Sequence, residues 1–241
     1  MAIKKYLLVC EGPTDIEILN SIAKAITNKN GNVIEIEALS PQWDATTGQY
    51  PCHGWTAVRR WCQSYSEKTL QDVANLAPNL QAAILRKNWK NIVSASGSDG
   101  VIIQIDTDIA EQIVDLPATF SSTGKSRRQY CQDAICKWLN VQTVDPAMFL
   151  VLSTYSTETW LLACHEPSHP VFSDIGTAFN YEDIPDINNR LLTLGYKKKN
   201  GKLHKSIPLY RNYGTQLVNN LATVRARCVE ADKMCSFLES V

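Results

Sequence analysis

Tyr6-Leu7-Leu8-Val9-Cys10-Glu11-Gly12-Pro13-Thr14-Asp15 decides how this chain is organised. Five consecutive apolar residues mark a strand buried on both faces, because a strand with one solvated face would alternate. The run stops at Glu11-Gly12, and Pro13 suits the first position of a helix, where its missing N–H would have had no partner. Ile16, Leu19, Ile22, Ala23 and Ile26 then recur at helical spacing. Asn30-Gly31-Asn32 ends that helix, and Val33 to Leu39 reads as a second strand. A β-α-β opening means a right-handed parallel crossover.

Outward from this unit, residues 41–98 interrupt the pattern. Pro41 to Gly54 is rich in turn formers. Trp55 to Lys90 fits two helices, broken near Ser64–Ser66 or at Pro78, and Ser94-Ala95-Ser96-Gly97-Ser98 reads as a flexible connection. The block is expected to be a helical insertion. Its Arg59, Arg60, Trp61 and Tyr65 have the chemistry to touch a polynucleotide, although packing is the simpler role. Val101-Ile102-Ile103-Gln104-Ile105 is a third strand, ending at Asp106-Thr107-Asp108. Gly124 to Asn140 has helical periodicity, and Ala147 to Leu152 is a fourth strand. Ser156 or Thr157 caps a short helix containing Glu158, Trp160, Leu161 and Leu162. After Pro167 come turn residues through Pro185, a helix near Ile187–Leu194, a lysine-rich stretch and a final helix from about Tyr213. The expected fold class is α/β with a parallel central sheet. Residues 1–165 form the core domain with its insertion at 41–98, and residues 166–241 a mainly helical C-terminal region with a basic segment.

Lys+Arg and Asp+Glu both number 24, so a basic coat for nucleic acid is absent and any such footprint must be local. The eight cysteines include no C-x-x-C pair, and the apolar run that follows the opening Met1 to Lys5 is too short for a secretory leader or a membrane span. Reduced, packed thiols in a cytoplasmic protein with no membrane attachment are expected. Cys52, His53 and Cys62 are poorly spaced for zinc.

In an open parallel sheet the working site lies at the carboxyl ends of the strands. Glu11 follows the first strand directly; Asp106 and Asp108 follow the third. Residues two apart in an extended segment point the same way, so both aspartates can face one ion. Neighbouring strands lie roughly 5 Å apart, close enough for Glu11 to join. Three carboxylates so placed repel one another unless a cation neutralises them, and hard oxygen donors favour Mg²⁺ or Mn²⁺. Taken singly, an acid after a strand is usually a cap or a turn residue, and Asp15 in a first helical turn is stabilised by the dipole wherever it occurs. The order and the strand-end placement are what point to a metal.

The apolar strand with Glu11-Gly12-x-x-Asp15, then the apolar strand with Asp106-x-Asp108, resembles the topoisomerase–primase (TOPRIM) domain. The resemblance covers residues 5–163 without the insertion, which is longer than a minimal TOPRIM core carries. It implies a Rossmann-like core in which Asp106 and Asp108 are Mg²⁺ (or Mn²⁺) ligands and Glu11 is a ligand or general acid/base. Gly12 would permit the tight strand-to-helix turn beside the substrate. Asp15 matches the second acidic position of overcoming-lysogenization-defect (OLD) type nucleases, where it helps hold a second metal. Ser156 to Ala163 is similar to a stretch in small stand-alone TOPRIM-like proteins, which adds Glu158 to the metal set. The implied activity is metal-dependent hydrolysis of phosphodiester bonds in DNA or RNA. Small relatives often accompany defence ATPases, so an antiviral effector with a partner ATPase is a family-level expectation, and a homo-oligomer is compatible with it. Neither a tyrosine-recombination region nor an ATPase region is present, which argues against a complete topoisomerase or OLD-type protein.

Lys197, Lys198, Lys199, Lys202, Lys205 and Arg211 occur with no acid among them, interleaved with Tyr196, His204, Tyr210 and Tyr213. Such a segment attracts phosphates and offers rings to unpaired bases; equally, it is what a solvated loop looks like. The resemblance to OLD-type nucleases implies that one lysine of this segment stabilises the transition state, with Lys205 as the candidate. Thr123-Gly124-Lys125-Ser126 is no P-loop, since no strand precedes it, though Arg127 and Arg128 remain candidates for phosphate. His165 and His169 read as surface histidines. Two rival functions stay open at this point: a phosphate- or nucleotide-binding regulatory module using the same acidic pocket without cleavage, and a phosphotransferase or phosphatase for small molecules. Receiver domains, the nearest regulatory analogue, place an acidic pair after strand one and a single aspartate after strand three, the reverse of the order here.

Overall fold

The computed structural model describes residues 3–31 and 33–241. Ile3–Val9 (β1), Pro13–Asn30 (α1) and Val33–Ser40 (β2) build the opening unit. Gly31 ends α1 in the left-handed region at φ 72°, as the sequence anticipates; Met1, Ala2 and Asn32 lie outside the described residues. The insertion contains Trp55–Ser64 (α2), Leu70–Val73 (α3), Pro78–Arg86 (α4) and Trp89–Ala95 (α5). Four helical pieces stand where two were expected, because both anticipated breaks occur and a third falls at Asn88. Thr69 forms a capping box with Asp72, Pro78 opens α4, and the Asn88 side chain caps α5.

Gly100–Asp106 (β3) leads through a 3-10 turn to Phe120–Thr123 (α6) and Arg127–Leu139 (α7), then Met148–Ser153 (β4) and Glu158–Leu162 (α8). Ile187–Thr193 (α9) precedes a small hairpin, Lys198–Lys199 (β5) with Lys202–Leu203 (β6). Ile207–Asn219 (α10), Leu221–Arg227 (α11) and Val229–Ser240 (α12) complete the chain. The helix expected from Tyr213 begins six residues earlier, with Pro208 in its first turn, where a proline costs no hydrogen bond.

The four long strands are all parallel, in the order β2-β1-β3-β4. This is the α/β fold with a parallel central sheet that the apolar runs call for, and it sets β1 beside β3. Side chains alternate between two cores even where the sequence is continuously apolar. Tyr6, Leu8, Ile102 and Val151 face α1, α8 and the C-terminal helices, while Leu7, Val9, Ile103 and Leu152 face α2, α5 and α7. Among the described residues no helix is long and apolar enough to cross a membrane. Of the eight cysteines, six are buried.

α10 lies tightly along α1. Arg211 reaches Glu17 with two hydrogen bonds of 3.1 Å, and a Cβ on Gly214 would stand 2.9 Å from the Cβ of Ser21. Gly214→Val is therefore expected to force the helices apart and cost about 2–3 kcal/mol. A urea midpoint unchanged from the parent would show that the contact yields without strain.

Candidate active site

The acids gather at the carboxyl edge of the sheet. Glu11 Oε1 accepts the backbone N–H of Asp106 at 2.8 Å, and Glu11 N donates to Gln104 Oε1 at 3.0 Å. Gln104 Nε2 donates to Asp106 Oδ1 at 2.9 Å, so one amide side chain stitches the ends of β1 and β3 together. From beyond β4, Thr157 N donates to the same Asp106 oxygen at 3.2 Å, and the Thr157 hydroxyl donates to Asp15. Thr157 stands at the start of α8, but its hydroxyl serves Asp15 in place of capping the helix. Glu158 is 1% exposed. Its Oε1 accepts from the Tyr210 hydroxyl and from Lys205 Nζ, the latter at 2.7 Å, while Oε2 is buried without a partner.

Asp108 arrives by a different route from the pleated one expected. Only Asp106 is extended; Thr107 to Gln112 form a 3-10 helix, so Asp108 sits exposed on a turn whose N–H donates to Tyr155 O at 3.2 Å. Its charge nonetheless reaches the cluster, since it helps to raise the pKa of Glu11.

Electrostatics show how crowded the site is. Burial, then the charges of Asp15 and Asp108, push Glu11 up to about 8 against the pull of the Asp106 amide and Lys205. Burial and the Glu158 charge push Asp15 up to about 6. Burial, with Asp15, Glu11 and Glu158 around it, holds Asp106 well above the usual carboxylate range. Asp108, exposed at its surface but partly desolvated by its surroundings, is raised too, chiefly by that lost hydration. Burial also works to raise Glu158, but Lys205 and Tyr210 outweigh it and hold the group low. Burial tends to lower Lys205, and the charges of Glu158, Asp15 and Asp106 more than offset this.

These residues fit a hard cation by donor chemistry: carboxylate oxygens only, mutually repelled, with one buried Glu158 oxygen left unpartnered. They do not form a finished shell. Among the described residues no group of three or more His, Cys, Asp or Glu is drawn together as a ready metal-ligand set. Protein donors occupy one oxygen each of Glu11, Asp15, Asp106 and Glu158.

A pH prediction follows. Asp15 and Glu11 bind protons more tightly folded than unfolded, so the stability they contribute is complete below about pH 4 and is lost as pH rises through about 6 and then about 8. Glu158 acts in the opposite sense, its contribution disappearing as pH falls below its ordinary 4.5. In EDTA the melting temperature is expected to fall between about pH 5 and about pH 8.5, and saturating Mg²⁺ should flatten that slope by favouring the charged forms. Parallel slopes with and without Mg²⁺ would contradict a cation site.

A cleft of about 490 Å³ opens onto the cluster, lined by Glu11, Gly12, Asp15, His53, Gly54 and Lys205 among others. Lys205 also lines an adjoining groove with Lys202. Lys197, Lys198, Lys199 and Lys202 are exposed on and beside the hairpin and line no part of the main cleft. Arg127 lies near Asp108 but is gripped by Glu111, with one contact of 2.7 Å, and it donates to Thr107 O at 3.1 Å. Arg128 is committed elsewhere, to Glu230 at 2.7 Å and Gln132 at 3.1 Å. Gln104, Thr157, Tyr210 and His53 belong to this site in roles that the sequence reading does not give them. For Gln104 a signal existed, a lone polar residue inside a strand buried on both faces. The chain matches no protein-family model, no curated protein and no solved structure.

Proposed function

We propose that the protein is a divalent-metal-dependent nuclease of the kind its TOPRIM-like motif order suggests, hydrolysing phosphodiester bonds of DNA or RNA. One observation carries the reading. Glu11, Asp15 and Asp106 share one hydrogen-bonded network through Gln104 and Thr157, and Glu158, the residue after Thr157, pairs with Lys205 at the same carboxyl edge of a parallel sheet. Asp106 and Asp108 with Glu11 would hold one Mg²⁺ or Mn²⁺, and Asp15 with the free oxygen of Glu158 would serve a second. A bound cation supplies Lewis acidity to the phosphate and an activated water. Glu11 acts through Oε2, as a ligand or as the group that exchanges a proton, because Oε1 is held by the Asp106 amide. Lys205, whose side chain is 48% exposed, turns N–H donors toward phosphate oxygens in the cleft. A cytoplasmic antiviral effector working with a partner ATPase belongs to the same reading through the resemblance alone, and a homo-oligomer is compatible with it.

The test is a gel assay of labelled DNA and RNA with Mg²⁺, Mn²⁺ or EDTA. Cleavage is expected only with metal and is expected to disappear in Glu11→Gln. Retention without cleavage would replace the nuclease by a phosphate-binding module, and indifference to both polymers would point to small phosphorylated substrates.

A further inference from the structure

The loop from Pro41 to Gly54 is tied to the catalytic edge at both ends. Cys10 N donates to Ser40 O at 2.8 Å where the loop leaves β2, and Gly54 N donates to Glu11 O at 2.5 Å where it enters α2. Its tip is ordered from within: Asp44 accepts from Thr46 N and the Thr47 hydroxyl, both at 2.8 Å, and bridges to Gln49. This braced tip carries Trp43, 54% exposed, edge-on to Tyr50 with ring centroids 5.2 Å apart. Trp43 belongs to neither core. Isolated exposed apolar residues are ordinary; a rigid aromatic pair on a loop that ends at a catalytic carboxylate and supplies His53 to its cleft is not.

The cleft that His53 and Gly54 of this loop line also carries a positive charge, Lys205. Lys205 lines both the cleft and a second groove of about 560 Å³, bordered by Asn188, Asn189, Gly201, Lys202 and Asp186, whose charge is paired with Arg190. Among the described residues none of Lys197, Lys198, Lys199 and Lys202 is held in an ion pair, whereas Lys205 is. A cationic groove that follows phosphates, together with rings that stack on bases, is the combination that binds single strands. A duplex keeps its bases paired and cannot offer one to Trp43.

Resting on the nuclease reading above, we infer that Trp43 and Tyr50 form a base-stacking platform, and that the substrate is single-stranded nucleic acid whose phosphates run along the Lys202–Lys205 groove. Binding of fluorescein-labelled oligothymidylate, oligouridylate and a blunt duplex of matched length, measured by anisotropy in EDTA, tests it. The cleavage assay in Mg²⁺ is run on the same oligomers. Single strands are expected to bind about tenfold or more tighter than duplex. Trp43→Ala should lose about tenfold for single strands alone, and Trp43→Phe, which keeps a ring, should stay within about twofold. A preference between thymidylate and uridylate names the polymer and sustains the platform. Equal affinity for duplex and single strand, or Trp43→Ala binding as the parent does while melting at the same temperature, overturns it. Binding that depends on Trp43 without metal-dependent cleavage sinks the nuclease and spares the platform; cleavage with binding indifferent to Trp43 does the reverse. Absence of both removes both.

Discussion

Asp106→Asn is expected to reduce metal-dependent cleavage by at least about a hundredfold while the protein folds normally. Asparagine has nearly the same shape, and its amide oxygen can still accept the 3.2 Å hydrogen bond from Thr157 N and the 2.9 Å bond from Gln104. The backbone N–H that holds Glu11 is untouched. What disappears is a buried negative charge surrounded by Asp15, Glu11 and Glu158. Activity and stability should therefore move apart. In EDTA the variant should melt no lower than the parent, since repulsion is relieved, and the gain in melting temperature on adding Mg²⁺ should shrink. Near-parental cleavage by Asp106→Asn would remove the residue from the metal site and the nuclease reading with it.

The second large effect belongs to Lys205. Its ammonium is the cation within reach of Glu158, which is 1% exposed. Removing one partner of a buried pair leaves the other charged and uncompensated, at a cost of about 3–5 kcal/mol when both are fully buried. Lys205 is 48% exposed at its side chain and Tyr210 continues to donate to Glu158, so Lys205→Met should cost less, about 2 kcal/mol, in metal-free urea unfolding. Adding Glu158→Gln should recover most of that loss, because the charge needing compensation is gone. The double variant should remain inactive. Strict additivity of the two single substitutions would show that the pair is not coupled.

How much of this was legible in the chain depends on the range of the interaction. The apolar runs before Glu11 and Asp106 report burial directly, so sheet, strand ends and three of the acids could be read locally. Gln104 could have been read too, as the polar residue that interrupts the buried apolar run Val101 to Ile105. Asn200-Gly201, with φ of 51° and 82°, is an ordinary two-residue hairpin signal that the surrounding lysines obscured. Asp108 was misplaced because alternation holds only while the backbone stays extended, and here it coils at Thr107. Tyr210 and the diverted Thr157 hydroxyl depend on contacts between segments far apart in sequence, of which no local pattern bears a trace.

The sharing of one core by α1 and the C-terminal helices has a consequence for the order of synthesis. Phe237 in α12 stacks on Phe149 at 4.2 Å and meets Tyr6 of β1 at 5.2 Å, while Lys205 and Tyr210 arrive only with the segment that α10 docks against α1. As the chain leaves the ribosome, every acid of the cluster emerges before the lysine that balances it. The half-made protein thus carries an uncompensated anionic pocket, and its charges come into balance when the last helices close over the first.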